Sequence, residues 1–242
     1  MSWAAKSVKL AALLRRPAFA RAALRHRVAA TVEHLDAIRF CAPATLIDVG
    51  ANKGQFALAV RALFPRAEIH AFEPLRASAD RFAALFSGDQ RTRLHRCAVG
   101  AQAETRIFHV TDRADSSSLL KPGTGQRDAY GVGLAGQIEV EVKPLGDLID
   151  LAALAAPVLL KIDVQGAELE VLRGIERIEM VDCLYVELSF VELYEGQALF
   201  EEVRAWLAAR GFELRGVYNQ SSTKAFGPTQ ADCLFVKGGD RP

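Results

Sequence analysis

Four carboxylates stand at or near the ends of short apolar runs in the 242-residue chain. Asp48 lies in Thr45–Gly54 (TLIDVGANKG), Glu73 in Ala71-Phe72-Glu73-Pro74, Asp163 just after Val158–Ile162, and Glu187 in Val181–Leu188. If those runs are parallel strands, their carboxyl ends line one crevice, where open α/β sheets hold ligands. Acids in that position suit a cationic or hydroxyl-rich ligand and sit poorly beside phosphate. The glycines agree: Gly50 and Gly54 make GxxxG rather than GxGxxG, and no GK[ST] follows, which excludes a P-loop. Glu73 follows Asp48 by 25 positions, near the ~20-residue spacing at which an acid accepts ribose hydroxyls.

Asp163, Glu187 and Glu168 are the candidates for moving or orienting a proton. Lys161 precedes Asp163 by two residues and shares its side of a strand, so the two can pair. Glu168 falls in the first turn of the helix opened by Gly166, where the helix dipole alone also favours an acid. A divalent ion across Asp163 and Glu187 is compatible with carboxylate chemistry, but no spacing requires one and no metal is assigned. The five histidines sit in strand- or helix-like patterns and read as structural. Asn219–Ser222 reads as a polar loop. Cys41, Cys97, Cys183 and Cys233 are far apart and form no CxxC, so they read as buried free thiols.

The elements that must position these acids alternate strand and helix from residue 45, the pattern of a parallel sheet covered on both faces. Strands are expected at Leu46–Val49, Glu68–Glu73, Arg93–Val99, Thr105–Val110, Ile138–Val142, Val158–Ile162 and Val181–Leu188. A closing hairpin is expected from Phe212–Val217 and Cys233–Lys237. Helices follow Gly54, Leu75, Gly166 and Leu199, with a short one at Leu145–Leu154. Residues 111–136 lack periodicity and read as a long functional loop. Before residue 43 the pattern predicts two helices, 3–15 and Ala18 to about Phe40, split by Pro17.

Half of the residues are hydrophobic and 24% charged, as in a globular protein. The net charge of +1 conceals +6 over residues 1–40 and −5 over the rest. Bulk charge therefore gives no support for nucleic-acid binding. No apolar run nears the ~20 residues of a membrane span, and cytoplasm is the default location. The basic segment 1–40 fits a cover or homodimer contact, a peripheral contact with an anionic membrane, or a targeting segment.

Three motifs, Asp48-Val-Gly-Ala-Asn-Lys-Gly54, Ala71-Phe-Glu-Pro74 and Leu160-Lys-Ile-Asp-Val-Gln-Gly-Ala-Glu-Leu-Glu-Val-Leu-Arg-Gly174, resemble the FkbM family of S-adenosylmethionine-dependent methyltransferases over residues 45–237. The resemblance implies a Rossmann-like class I α/β fold. It has a seven-stranded, mostly parallel sheet, a C-terminal antiparallel hairpin and an N-terminal helical extension. The chain then divides into a basic extension, 1–42, and a cofactor-binding domain, 43–242. The implied cofactor is S-adenosylmethionine. Asp48, Gly50, Ala51, Asn52 and Gly54 would cradle its methionine part, with Asp163 alongside. Phe72, Glu73 and Pro74 would hold the ribose, Ala98 and Val99 the adenine, and Ser117 in the middle loop would touch cofactor or substrate. The expected reaction is O-methylation of a small-molecule or glycan hydroxyl, with N-methylation open. A nicotinamide oxidoreductase and a non-catalytic binding protein are the competing classes on this architecture.

Overall fold

The computed structural model describes residues 17–238, so the helix expected at 3–15 lies outside the described residues. Helix α1 (Pro17–His26) opens with a proline at its first position, where the missing N–H costs nothing. The expected continuous helix to Phe40 is instead two. Arg27 turns left-handed, with φ 54°, and Val28 and Ala30 are buried against the body. The Thr31 N–H and hydroxyl both donate to the Gln55 carbonyl. A 3₁₀ turn at Val32–His34 then leads into α2 (Leu35–Cys41). Tertiary burial of a β-branched stretch has overridden the helical pattern.

Strand β1 (Thr45–Val49) is buried along its whole length, as a strand covered on both faces must be. It is followed by α3 (Gln55–Leu63), β2 (Glu68–Phe72), α4 (Arg76–Leu85) and β3 (Thr92–His95). Next come β4 (Ala98–Val99), β5 (Glu104–Thr111), α5 (Thr124–Tyr130), β6 (Leu134–Lys143) and β7 (Val158–Ile162). The chain continues through α6 (Glu168–Arg173), β8 (Cys183–Ser189), α7 (Phe200–Ala208), β9 (Phe212–Thr223) and β10 (Gly227–Lys237). The main sheet has seven strands in the order β3-β2-β1-β7-β8-β10-β9. Its first five strands are parallel, and β10 and β9 close it antiparallel. On one face Ile47, Val49, Leu160, Ile162 and Val186 form a core with α6 and α7. On the other, Leu46, Leu159 and Tyr185 pack with α2, α3 and α4.

Four expectations about elements change. The strand expected at Arg93–Val99 breaks after His95, and Ala98–Val99 joins a separate three-stranded sheet, β4-β6-β5. The long loop carries a 3₁₀ turn and α5, and its last residues begin β6. Leu145–Leu154 forms two 3₁₀ turns rather than a helix. The hairpin reaches through Asn219–Ser222, which lies in β9, an edge strand too exposed to show an apolar pattern.

The sheet order reverses between β2-β1 and β7-β8, so β1 and β7 flank the topological switch point. Gly50, with φ +76°, sits there, and a Cβ on it would lie 1.8 Å from the Asp163 carbonyl oxygen. Gly88 has a similar φ, +90°, but open space around it. Gly88→Ala should therefore cost about 1–2 kcal/mol from backbone conformation alone. Gly50→Ala should cost at least about 3 kcal/mol, because overlap adds to strain. Urea unfolding of both variants checks this, and equal losses would refute the close approach.

Candidate active site

The loop after β1 is fixed to the end of β2. The Gly50 and Ala51 N–H groups donate to the Phe72 carbonyl at 3.1 and 3.0 Å. Asn52 N–H donates to Glu73 Oε2 at 2.8 Å, and Leu75 N–H to Glu73 Oε1 at 2.8 Å. The Ser78 hydroxyl donates to Asn52 Oδ1. Burial pushes the Glu73 carboxyl up to about 7, against the two backbone donors that favour its charge. A cavity of about 650 Å³ opens beside this turn. Phe72, Pro74, Cys97, Ala98, Val99, Phe108 and Leu119 give it an apolar slot, while Asn52, Glu73, Asp115, Ser117 and Asp163 supply its polar groups.

Behind the loop, the Lys161 ammonium donates to the Gly50 carbonyl at 2.8 Å. It lies 3.2 Å from Asp48 Oδ1 and 3.5 Å from Asp163 Oδ2. Burial opposes its charge, but the two carboxylates outweigh burial and hold Lys161 above its ordinary range. The neighbouring acid, Glu187, has no such cation. Gln165 Nε2 donates to Asp163 Oδ1 at 2.8 Å and to Glu187 Oε2 at 2.5 Å. Gln230 Nε2 donates to Glu187 Oε1 at 2.6 Å. Burial, followed by the nearby charges of Asp163 and Asp232, raises the Glu187 carboxyl well above the usual carboxylate range. Gln165 is held in the left-handed region, φ 60°, and its Oε1 accepts from the Tyr194 hydroxyl at 3.0 Å.

Two further cavities meet the first. One, about 450 Å³, is walled by Thr31, His34, Ala51, Lys161, Tyr185 and Asp232. There His34 Nδ1 lies 3.0 Å from the Tyr185 hydroxyl. Asn219 Nδ2 donates to Asp232 at 2.8 Å. The other, an open cleft of about 720 Å³, is walled by Arg113, Asp115, Ser116, Gln126, Tyr130, Gln165, Glu187 and Gln230. Asn52 and Asp163 line all three.

Of the residues singled out from sequence, Gly50, Asn52, Phe72, Glu73, Pro74, Ala98, Val99, Ser117 and Asp163 line the first cavity. Ala51 lines the second and Glu187 the third. Three line none. Asp48 is wholly buried and reaches the site only through Lys161. Gly54 caps α3 at φ +88°, where a Cβ would sit 2.9 Å from the Phe82 and Phe86 rings, so packing demands it. Glu168 accepts from the Val164 and Gly166 N–H groups at 3.2 and 3.0 Å and braces the loop after β7. Ser117 Oγ accepts from Thr111 N–H and anchors the end of β5. All four cysteines are buried and none forms a disulfide. Among the described residues no group of three His, Cys, Asp or Glu is placed to hold a metal ion, and no helix is long and apolar enough to cross a membrane. Gln126, Tyr194, Gln230, Thr31 and His34 were not marked by any motif. Gln165 lay inside one but is an amide among acids, and only the fold shows that it joins two of them.

Residues 48–214 match the family model described as Methyltransferase FkbM domain. The chain belongs to the FkbM methyltransferase family. It is 31% identical over 160 residues to the 2-O-methyltransferase NoeI of Sinorhizobium fredii, a match spanning 63% of this chain and 66% of that protein. It is 31% identical over 192 residues to the 31-O-demethyl-FK506 methyltransferase FkbM of Streptomyces tacrolimicus, spanning 69% and 72%. Among solved structures, the O-methyltransferase TomG of Streptomyces achromogenes, in complex with SAM, superposes with a TM-score of 0.52. That match has 14% identity and covers 98% of this chain and 100% of that one. Methyltransferase FkbM of Methylobacillus flagellatus gives 0.51 at 17% identity, over 79% and 43%. These two share the fold, a class I methyltransferase sheet.

Glu168, raised by burial to about 7 from 4.5, binds more protons in the folded than in the unfolded chain across that interval. Its contribution to stability is therefore full below about pH 4.5 and lost as pH rises through about 7. Relative to wild type, Glu168→Gln should gain on the order of 1–3 kcal/mol between pH 4.5 and 8. Denaturant midpoints of the two proteins across that range measure it; a difference independent of pH would refute a buried, titrating Glu168.

Proposed function

We propose that the chain is an S-adenosylmethionine-dependent O-methyltransferase acting on a hydroxyl of a sugar, glycan or related natural-product intermediate. The observation that carries this reading is the meeting of three cavities at Asp163, with Glu187 tied to the same amide. The first cavity fits the cofactor by its donor set. An apolar slot suits a purine, Glu73 stands where ribose hydroxyls can donate, and the acid-rich switch point suits a sulfonium cation. When bound, the cofactor supplies a methyl group already activated on positive sulfur.

The chain's residues must then align a hydroxyl and take its proton. Glu187 is the better base, because burial and its negative neighbours make its carboxylate take up a proton more readily than an ordinary one. Gln165 and Gln230 fix its orientation. With the cofactor bound, Glu187 would take the proton of the acceptor hydroxyl as its oxygen received the methyl group. Asp163, which shares the one Lys161 ammonium with Asp48, would support the positive end of the cofactor. The names of NoeI, FkbM and TomG support transfer to oxygen.

Glu73→Ala should weaken S-adenosylhomocysteine binding by about 1.5–3 kcal/mol, the range for hydrogen bonds to a charged group. Calorimetry measures it, and unchanged affinity would remove Glu73 from the site. Tight binding of NAD(H) with no response to S-adenosylmethionine or S-adenosylhomocysteine would overturn the whole reading. Glu187→Gln should lower labelled-methyl transfer to a glycoside acceptor at least about 100-fold while S-adenosylhomocysteine affinity holds. Full activity in that variant would exclude Glu187 as base.

A further inference from the structure

Within the third cavity one buried group lacks a partner. Gln126 is 2% exposed, and its Nε2 donates to the Tyr194 hydroxyl at 3.1 Å. The Tyr194 hydroxyl has a single hydrogen, directed at the Ser116 carbonyl (2.8 Å) or at Gln165 Oε1 (3.0 Å). It must therefore accept from Gln126, which fixes the amide with nitrogen toward Tyr194. Gln126 Oε1 is then left buried without a hydrogen bond. An unsatisfied buried carbonyl costs about 1–3 kcal/mol, and it is satisfied if a ligand in the cavity donates to it.

The rest of the wall narrows the ligand's chemistry. Asn52, Gln55, Gln165 and Gln230 contribute amides, and Tyr130 and Ser116 polar oxygens. Asp115, Asp163 and Glu187 outnumber the single cation Arg113, which lies 3.8 Å from Asp115. Such a wall leaves an anion no unpaired cation to meet and offers little to an apolar ring. Gln126, Tyr194, Gln165 and Glu187 follow one another at 3.1, 3.0 and 2.5 Å, so the unpaired carbonyl and the base belong to one array.

We propose that this cavity is the methyl-acceptor site, that it admits a neutral polyhydroxylated ring, and that Gln126 Oε1 reads one ring hydroxyl while Glu187 faces another. The assignment rests on the methyl-transfer reading above and makes Gln126 a determinant of acceptor choice.

Saturation-transfer NMR on the full chain saturated with S-adenosylhomocysteine tests it. The probes are methyl α-D-hexopyranosides, their singly deoxygenated analogues, methyl glucuronate glycosides hydrolysed to the free acid, and cyclohexanol. At least one neutral hexoside should bind in preference to the anionic sugar and the mono-ol. Removal of one particular hydroxyl should weaken it about tenfold. Gln126→Leu should reproduce that loss for the parent hexoside and abolish the preference among deoxy analogues, with S-adenosylhomocysteine affinity reporting an intact fold. If that variant does not fold, the deoxy series on the unaltered protein still decides. Intact S-adenosylhomocysteine binding with no hexoside bound, with the anion or mono-ol bound as well, or with every deoxy analogue equivalent would overturn the proposal alone. Failure to bind S-adenosylhomocysteine would instead overturn the methyl-transfer reading and this assignment with it.

Discussion

A single buried ammonium holds the crevice together. Lys161 projects from β7 between the end of β1 and the loop that follows it, touching Asp48, Asp163 and the Gly50 carbonyl. A charge taken out of water survives only when paired: Lys161 hydrogen-bonds the Gly50 carbonyl and meets both acids as ion pairs, while burial raises the Asp48 carboxyl. Remove the cation and two carboxylates, one wholly buried, face each other across the switch point. The same contact fixes the Gly50 carbonyl, and with it the course of a loop whose glycine already passes against the Asp163 backbone. Sheet topology brings β1 and β7 side by side; Lys161 makes the junction electrostatically tolerable.

The ammonium also separates the two acids that share the Gln165 amide. Asp163 has a cation within reach, while Glu187 has amides and negative neighbours. The two carboxyl groups therefore meet different surroundings at one shared amide. An amide at position 165 suits this arrangement, since it donates to both acids without adding a third negative charge to the pair. Its left-handed backbone is the local strain that the array sustains.

What the sequence made legible was local. The apolar runs, the glycine turn and the acids at strand ends are short-range signals, and they located the main sheet, its switch point and most of the first cavity's wall. The signals failed where distant packing decided. Asp48 carried the chemistry of a ligand contact, yet the β1 pleat turns it into the body beneath Lys161. Glu168 looked like a reactive acid, but its partners are N–H groups of its own loop. Val28 to Val32 carries a helical pattern, but periodicity does not include the helices α1, α3 and α4 among which Ala30 and Val32 pack. Gln126 and Gln230 belong to the site only because α5 and β10 fold over it, and no motif marks an amide as unpaired.

The hairpin carries a consequence for how the sheet can be assembled. β10 lies between β8 and β9, so the strand made later occupies the inner position. β9 has no place in the sheet until β10 has paired with β8, although it leaves the ribosome first. During synthesis the outer edge of β8 therefore stays open, an unpaired row of backbone groups of the kind that recruits foreign strands. It is shielded once β10 pairs with it, and β9 then takes the outer place. The turn at 224–226 thus joins the two strands whose pairing puts the crevice's last wall, including Gln230, in place.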